Sequence, residues 1–313
     1  MKGEAFRLKK ILKTLILSLS SKKDFKDFDV DFNYFDFMNT KTTITAILII
    51  IAAVNINVNA QWRTLEPGLE FASFPSPLYD TAIHSANKIN VLRIDLKRHE
   101  LHLLNASNPA GGGALYTARN WAARSGMVAV TNAAMYQADY RTSVSYMKTS
   151  SHVNNPRLSK DKTILLFEPL KKGIPTARIV DLQCDDFETV RQLYGSAVQS
   201  IRMLSCYGKN VWQESERRWS IAAAATDKSG NFLLIQCTAP HSVHEFVNIL
   251  SELPISIDRA MYMEGGGPSQ LFIGAAKDTL EFIGDFSSGG RSLAAAQLPN
   301  ALGVKRIGKA KRD

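Results

Sequence analysis

A single acid followed by three glycines, Glu264-Gly265-Gly266-Gly267, is the most specialised stretch of the chain. A β-like run over residues 259–263 delivers the carboxylate, and the glycines can take backbone angles closed to other residues. Successive N–H groups in such a turn can form an anion-binding concavity. An acid beside an anion cradle suits a phosphate-bearing or sugar substrate, with a divalent cation between them as one arrangement the residue types allow. Taken alone, the same stretch is also an ordinary Gly-rich turn before Leu271. A second polar concentration follows the apolar run 127–131: Asn132, Tyr136, Asp139, Tyr140, Arg141 and Ser145. These could project from a sheet edge into a cleft or form a solvent-facing, Asn-initiated turn, and local sequence supports both equally.

The elements that must position these groups are mostly strands. Apolar alternation predicts strands over 91–96 and 101–104 as a hairpin, over 163–167 and 177–182, and over 219–226 and 232–238 around the turn Asp227-Lys228-Ser229-Gly230. Further strands are expected over 200–204, 270–273, 281–283 and 302–304. Helices are expected over 117–124, over 186–194, and from Ser242, where Ser242 and Glu245 form a capping box. His99 and His102 read as exposed strand or turn histidines. His241 and His244 flank a helix start that could face substrate. The absence of regular βαβ alternation favours an α+β fold, one domain with a mostly antiparallel or mixed sheet and a few packed helices.

The chain has 313 residues and a net charge of +9. Residues 1–60 hold nine Lys/Arg against six Asp/Glu, so the rest carries +6, spread thinly apart from a basic tail at 305–313. No stripe of basic and aromatic residues accompanies that charge, which argues against nucleic-acid binding. From Met38 a short basic segment, an apolar run over 44–54 and Val58-Asn59-Ala60 give the layout of a secretory signal peptide over 38–60, with 1–37 as an upstream extension. Eleven apolar residues are short for a membrane span, which needs ~20. The expected product is exported, periplasmic or extracellular, with an entry segment at 61–88 and a domain at 89–304. Cys184, Cys206 and Cys237 allow one disulfide at most and leave at least one thiol.

Four stretches occur in the order found in the phosphodiester glycosidase family and resemble its motifs: Asn132-Ala133-Ala134-Met135-Tyr136, Arg218-Trp219-Ser220-Ile221-Ala222, Glu264-Gly265-Gly266-Gly267-Pro268-Ser269 and Pro299-Asn300-Ala301-Leu302-Gly303. The family's Asn-Gly-Gly stretch has alanine at both glycines here, and Glu264 stands where its Asp would be. The resemblance implies hydrolysis of the bond between an anomeric carbon and a phosphodiester oxygen. It implies Glu264 as general base, nucleophile or metal ligand, and Arg218 as a bidentate phosphate partner. Asn132 and Asn300 would hold sugar hydroxyls or a cation. Gly265, Gly266 and Gly267, with Tyr136 and Ser269, would complete the substrate site. Glycosidases usually use a second carboxylate, for which Asp139 is the candidate. The rival reading is an exported protein that binds envelope glycans or sugar phosphates without turnover. A metal-dependent phosphodiesterase is a third, against which the lack of clustered His and Asp counts.

Overall fold

The computed structural model describes residues 62–76, 88–109, 112–276, 278–284 and 294–308. The stretches expected as an upstream extension (1–37) and a signal peptide (38–60), and the end of the basic tail, lie outside these. Sixteen strands are described: β1 (Arg63–Glu66), β2 (Leu69–Pro75), β3 (Lys88–Ile94), β4 (His99–Asn105), β5 (Ala129–Asn132), β6 (Met147–Lys148), β7 (Val153–Asn155), β8 (Thr163–Pro169), β9 (Ala177–Asp181), β10 (Tyr194–Ser200), β11 (Trp219–Asp227), β12 (Phe232–His241), β13 (Ile257–Gly265), β14 (Gln270–Gly274), β15 (Thr279–Ile283) and β16 (Asn300–Arg306). They form three sheets, ordered β1-β2-β3-β12-β11-β13, β7-β6-β10-β8-β9 and β15-β14-β5-β16-β4. Every strand pairing among the described residues is antiparallel.

One face of each sheet meets a shared core. Leu92, Ala224 and Met263 come from the first sheet, Leu165 and Val198 from the second, and Ala129, Leu271 and Leu302 from the third. Outer faces are covered by helices. Helix α1 (Ala118–Ser125), capped by Thr117 and ended by left-handed Gly126, lays Trp121 on the third sheet. The one-turn α2 (Phe187–Val190) sets Phe187 on the second. Helix α3 (Val243–Glu252) begins at the expected capping box and buries Phe246, Val247 and Leu250 behind the first. These described residues belong to one compact unit. The mostly antiparallel pairing and the few packed helices are as expected, but the fold is sheet-rich rather than clearly α+β: three sheets bury one another, and short helices seal their outer faces. No helix among the described residues is long and apolar enough to cross a membrane.

Several expectations change. The helix expected over 186–194 ends at Val190 with one 3-10 turn after it, and β10 covers Tyr194–Ser200 in place of the strand expected over 200–204. The hairpin expected over 91–104 does not form, because β3 pairs with β2 and β12 while β4 pairs with β16 in another sheet. Alternation identifies a buried face but not the partner strand. His99 is buried, its Nε2 3.4 Å from Glu66 Oε1. The segment expected as an entry stretch supplies β1 and β2, and Glu66 at the end of β1 takes a two-pronged pair from Arg306 at 2.7 and 2.6 Å.

Candidate active site

Glu264 sits at the end of β13, where β11 and β13 run out of register. A bulge between Ala222 and Ala223, opposite Glu264 and Tyr262, increases local twist and re-aims the residues beyond it. The carboxyl is partly buried, and burial raises its pKa to about 7, offset in part by the Gly265 N–H that donates to Oε1 at 2.9 Å. Among the described residues no neighbouring charge contributes to the shift. Glu264 thus stands as a lone, desolvated acid, half ionised near neutral pH.

The turn beyond it is held from several sides. The Gly266 N–H donates to the Ser220 carbonyl at 2.8 Å, and the Ser269 N–H donates back to the Gly266 carbonyl at 2.9 Å. Gly266 has φ +68°, which explains a glycine at that position. The expected anion cradle is therefore largely closed: Gly265 and Gly266 give their N–H groups to protein oxygens. Ser269 is fully buried, and its hydroxyl has no partner among the described residues.

Asn132, at the end of β5, reaches the same turn. With its amide oxygen toward the Glu264 N–H it accepts there at 3.3 Å, and its NH2 donates to the Pro268 carbonyl at 3.2 Å. The side chain clamps the backbone that carries Glu264; it is 2% exposed and does not face solvent. Asn300 is likewise buried, accepting from Asn105 Nδ2 at 2.7 Å and donating to the Arg141 carbonyl at 3.3 Å. Both amides fix the scaffold where sugar-contacting groups were expected.

Tyr136 is raised in pKa by burial first, then by the charges of Glu264 and Tyr140, so its neutral hydroxyl lies within electrostatic reach of the acid. Its ring centroid is 5.5 Å from that of the exposed Tyr140. Tyr136 bridges to Ser143, and Asp139 caps the turn between them: its carboxylate accepts from the N–H groups of Arg141 and Thr142 at 3.0 and 2.9 Å and from the Thr142 hydroxyl at 2.6 Å. The Thr142 hydroxyl foremost lowers its pKa. That is the turn reading of this stretch, not a second carboxylate poised at Glu264.

Arg218 immediately precedes β11, and its guanidinium makes a two-pronged pair with Glu245 in the first turn of α3. Glu245 also caps that helix through the Ser242 N–H at 3.1 Å. A phosphate would have to compete with this pair. Behind it, His241 bonds to the Ser76 hydroxyl through Nε2 at 2.8 Å and is pushed down to about 4, chiefly by burial.

Sequence reasoning missed the aromatic wall. Trp219 donates from Nε1 to the Tyr262 hydroxyl at 3.0 Å, and the Tyr262 ring lies 5.4 Å from that of Trp212. The signal was present in the position of Tyr262, two residues before the acid, and of Trp219, next to Arg218. For a cation, the described residues offer one grouping of three His, Cys, Asp or Glu, namely Asp181, Cys184 and Cys206, whose two sulfurs are joined as a disulfide. A divalent ion at Glu264 would need carbonyl or amide oxygens to complete its shell.

Ala134 has φ +56°, a left-handed conformation kept where the family-like motif carries glycine. Ala133 beside it is fully buried without that strain. Ala133→Gly should destabilise by roughly 1–2 kcal/mol, through lost methyl burial and greater freedom of the unfolded chain. Ala134→Gly should stay within about 0.5 kcal/mol of wild type, because relief of the left-handed alanine offsets the same losses. Urea unfolding of the two variants checks the difference; equal costs would contradict it.

A sequence profile described as phosphodiester glycosidase matches residues 125–305, which span Asn132, Arg218, Glu264 and Asn300. No curated protein matches the chain by sequence. Among solved structures, the catalytic domain of zebrafish N-acetylglucosamine-1-phosphodiester alpha-N-acetylglucosaminidase, auto-inhibited by its pro-peptide, aligns with a TM-score of 0.58 at 10% identity, covering 79% of this chain and 86% of that one. A hypothetical protein from Synechocystis aligns with a TM-score of 0.53 at 13% identity, covering 80% of this chain and 64% of that one.

Proposed function

This chain belongs to the phosphodiester glycosidase family, and from that premise we propose that it is an exported hydrolase cleaving the bond between an anomeric carbon and a phosphodiester oxygen, with Glu264 as the group that activates water. The observation that carries the reading is the isolation of Glu264. An ordinary glycoside needs an acid to protonate its alcohol leaving group as well as a base or nucleophile. A phosphodiester is acidic enough to leave without that help, so one carboxyl with a pKa of about 7 suffices for the proton transfer. The name of the zebrafish protein supports a sugar joined through its anomeric carbon to phosphate.

In this mechanism Glu264, ionised in the fraction of molecules that react, takes a proton from water as the oxygen attacks the anomeric carbon. The anomeric C–O bond breaks and the phosphate keeps the electron pair. The neutral Tyr136 hydroxyl donates to an oxygen of the substrate, Asn132 keeps the Glu264 backbone in place, and the half-buried Trp219 and Trp212 border the sugar. Arg218 reaches phosphate only by leaving Glu245. The Cys184–Cys206 disulfide, closing 22 residues of separation, supports an oxidising compartment and so the exported location.

Product analysis tests the reaction. Incubation with a panel of sugar-1-phosphodiesters should release a reducing sugar and a phosphomonoester. Free alcohol with phosphate retained on the sugar would mean P–O cleavage instead. Saturable binding without turnover across the panel would leave the glycan-binding reading in place of the enzyme.

A further inference from the structure

The edge of the third sheet beside Glu264 is made by the start of β14, the end of β5 and the start of β16, where Gln270, Asn132 and Asn300 follow one another. The turn after β5 reaches back to this edge. Its Arg141 carbonyl accepts from Asn300 Nδ2 at 3.3 Å and from Asn154 Nδ2 at 2.9 Å. Asp139 ties the turn from within, and the Tyr140 N–H donates to the Gln137 carbonyl at 3.0 Å. A second line of contact starts from the acid itself: Tyr136, which lies within reach of the Glu264 charge, has its ring 5.5 Å from that of Tyr140, the residue before Arg141. The Arg141 backbone is thus fixed, while its side chain is exposed. The guanidinium makes one hydrogen bond, from Nη1 to the Gly113 carbonyl at 2.9 Å, and no ion pair among the described residues.

We propose that Arg141, and not Arg218, receives the phosphate of the substrate at the Glu264 site, an assignment that rests on the hydrolase reading above. Two requirements select it. The phosphorus lies one oxygen beyond the anomeric carbon, so its cation must stand off from the acid. A guanidinium in contact with Glu264 would hold the carboxyl ionised and low in pKa, whereas burial raises it to about 7. The cation must also be free. Arg218 is engaged by Glu245, and drawing it away would leave that helix-capping carboxylate without its partner. Arg141 has guanidinium N–H groups to spare, and these can meet two phosphate oxygens together. Asp139, whose pKa is lowered foremost by the Thr142 hydroxyl and least by the charge of Arg141, is held by the donors of its own turn. As the anomeric bond breaks the phosphate gains negative charge, so the contact with Arg141 strengthens toward the transition state.

Calorimetric titration of the full chain with sodium phosphate at fixed ionic strength tests it. Wild type should bind saturably, and Arg141→Ala should weaken that binding about tenfold or more, the loss of a charge-assisted contact. Arg141→Lys, which keeps the charge but not the planar fork, should fall between them. Arg218→Ala should hold phosphate affinity within about twofold of wild type. On a sugar-1-phosphodiester that wild type hydrolyses, kcat/KM of Arg141→Ala should fall at least as far as phosphate affinity does. Its pH inflection should stay near 7, where Glu264 sets it. Phosphate bound through Arg141 by a chain that turns over no sugar-1-phosphodiester would keep Arg141 as the phosphate partner and remove the hydrolase reading. Turnover that is the same in wild type and Arg141→Ala would do the reverse. The assignment also falls if wild type binds no phosphate, if Arg141→Ala binds it equally well, or if Arg218→Ala costs as much. A pH inflection displaced in Arg141→Ala would overturn it too, since the loss would then come from a moved acid.

Discussion

Glu264→Gln should reduce turnover by roughly 10²–10⁴-fold, the range for loss of a positioned acid or base, while making the protein more stable above neutral pH. The two effects share one cause. Burial raises the Glu264 carboxyl from an ordinary 4.5 to about 7. Below pH 4.5 the group is protonated in both the folded and the unfolded chain and ionisation makes no difference to stability. As pH rises toward 7 the unfolded chain ionises while the folded one resists, so stability falls; above 7 the loss levels off at about 3 kcal/mol, since every pH step of one between those two values costs ~1.4 kcal/mol. The neutral Gln has no such loss. Thermal denaturation should therefore give matching midpoints for wild type and variant near pH 4 and a higher midpoint for the variant near pH 8. For wild type, kcat/KM should rise with pH through an inflection near 7, as the base loses its proton. Full activity in Glu264→Gln would remove the residue from the mechanism. A stability gain independent of pH would mean that Glu264 is not desolvated.

The pairing of sequence with site went furthest where the signal was local. Ser242 and Glu245 specified their own cap, Asp227 its own hairpin turn through acceptor bonds to Ser229 and Asn231, and Glu264 with its glycines a turn at a strand end. What required the third dimension was the use of each polar group. Asn132 and Asn300 carry the residue type expected of a sugar contact, but burial turned both amides inward, where they tie down loops. Arg218 carries the charge expected of a phosphate partner, but its distance from Glu245 is set by the packing of α3 behind β11, and nothing in the spacing of 27 residues announces that pair. The same limit explains β3 and β4. Their alternation was legible, while their separation into two sheets depends on β12 and β16, more than a hundred residues away in sequence.

Gly265→Ala should be the most damaging single-methyl change in the site, and for a reason different from that of its neighbour Gly266. Gly265 does not occupy the left-handed region; it is glycine because of what lies over it. A Cβ there would sit 2.2 Å from Trp219 Cδ1 and Nε1 and 2.3 Å from the Tyr262 hydroxyl. Neither ring can yield easily, because the indole donates to that hydroxyl at 3.0 Å and the Tyr262 ring packs on Trp212. Relief must come from the backbone, at a cost of about 1–3 kcal/mol. That backbone includes the N–H bonded to Glu264 Oε1, so the displacement is passed directly to the acid. A shift of about 1 Å at a reacting group can lower the rate ~100-fold, and kcat should fall accordingly even in molecules that remain folded. The steric origin can be isolated by repeating the substitution in a Trp219→Ala, Tyr262→Phe background, where the obstructing atoms are gone. Chemical denaturation there should show a cost for Gly265→Ala below about 0.5 kcal/mol, giving a large coupling between positions 219, 262 and 265. The same cost in both backgrounds would instead locate the requirement for glycine in the backbone of β13, and the aromatic wall would lose its place in the construction of the site.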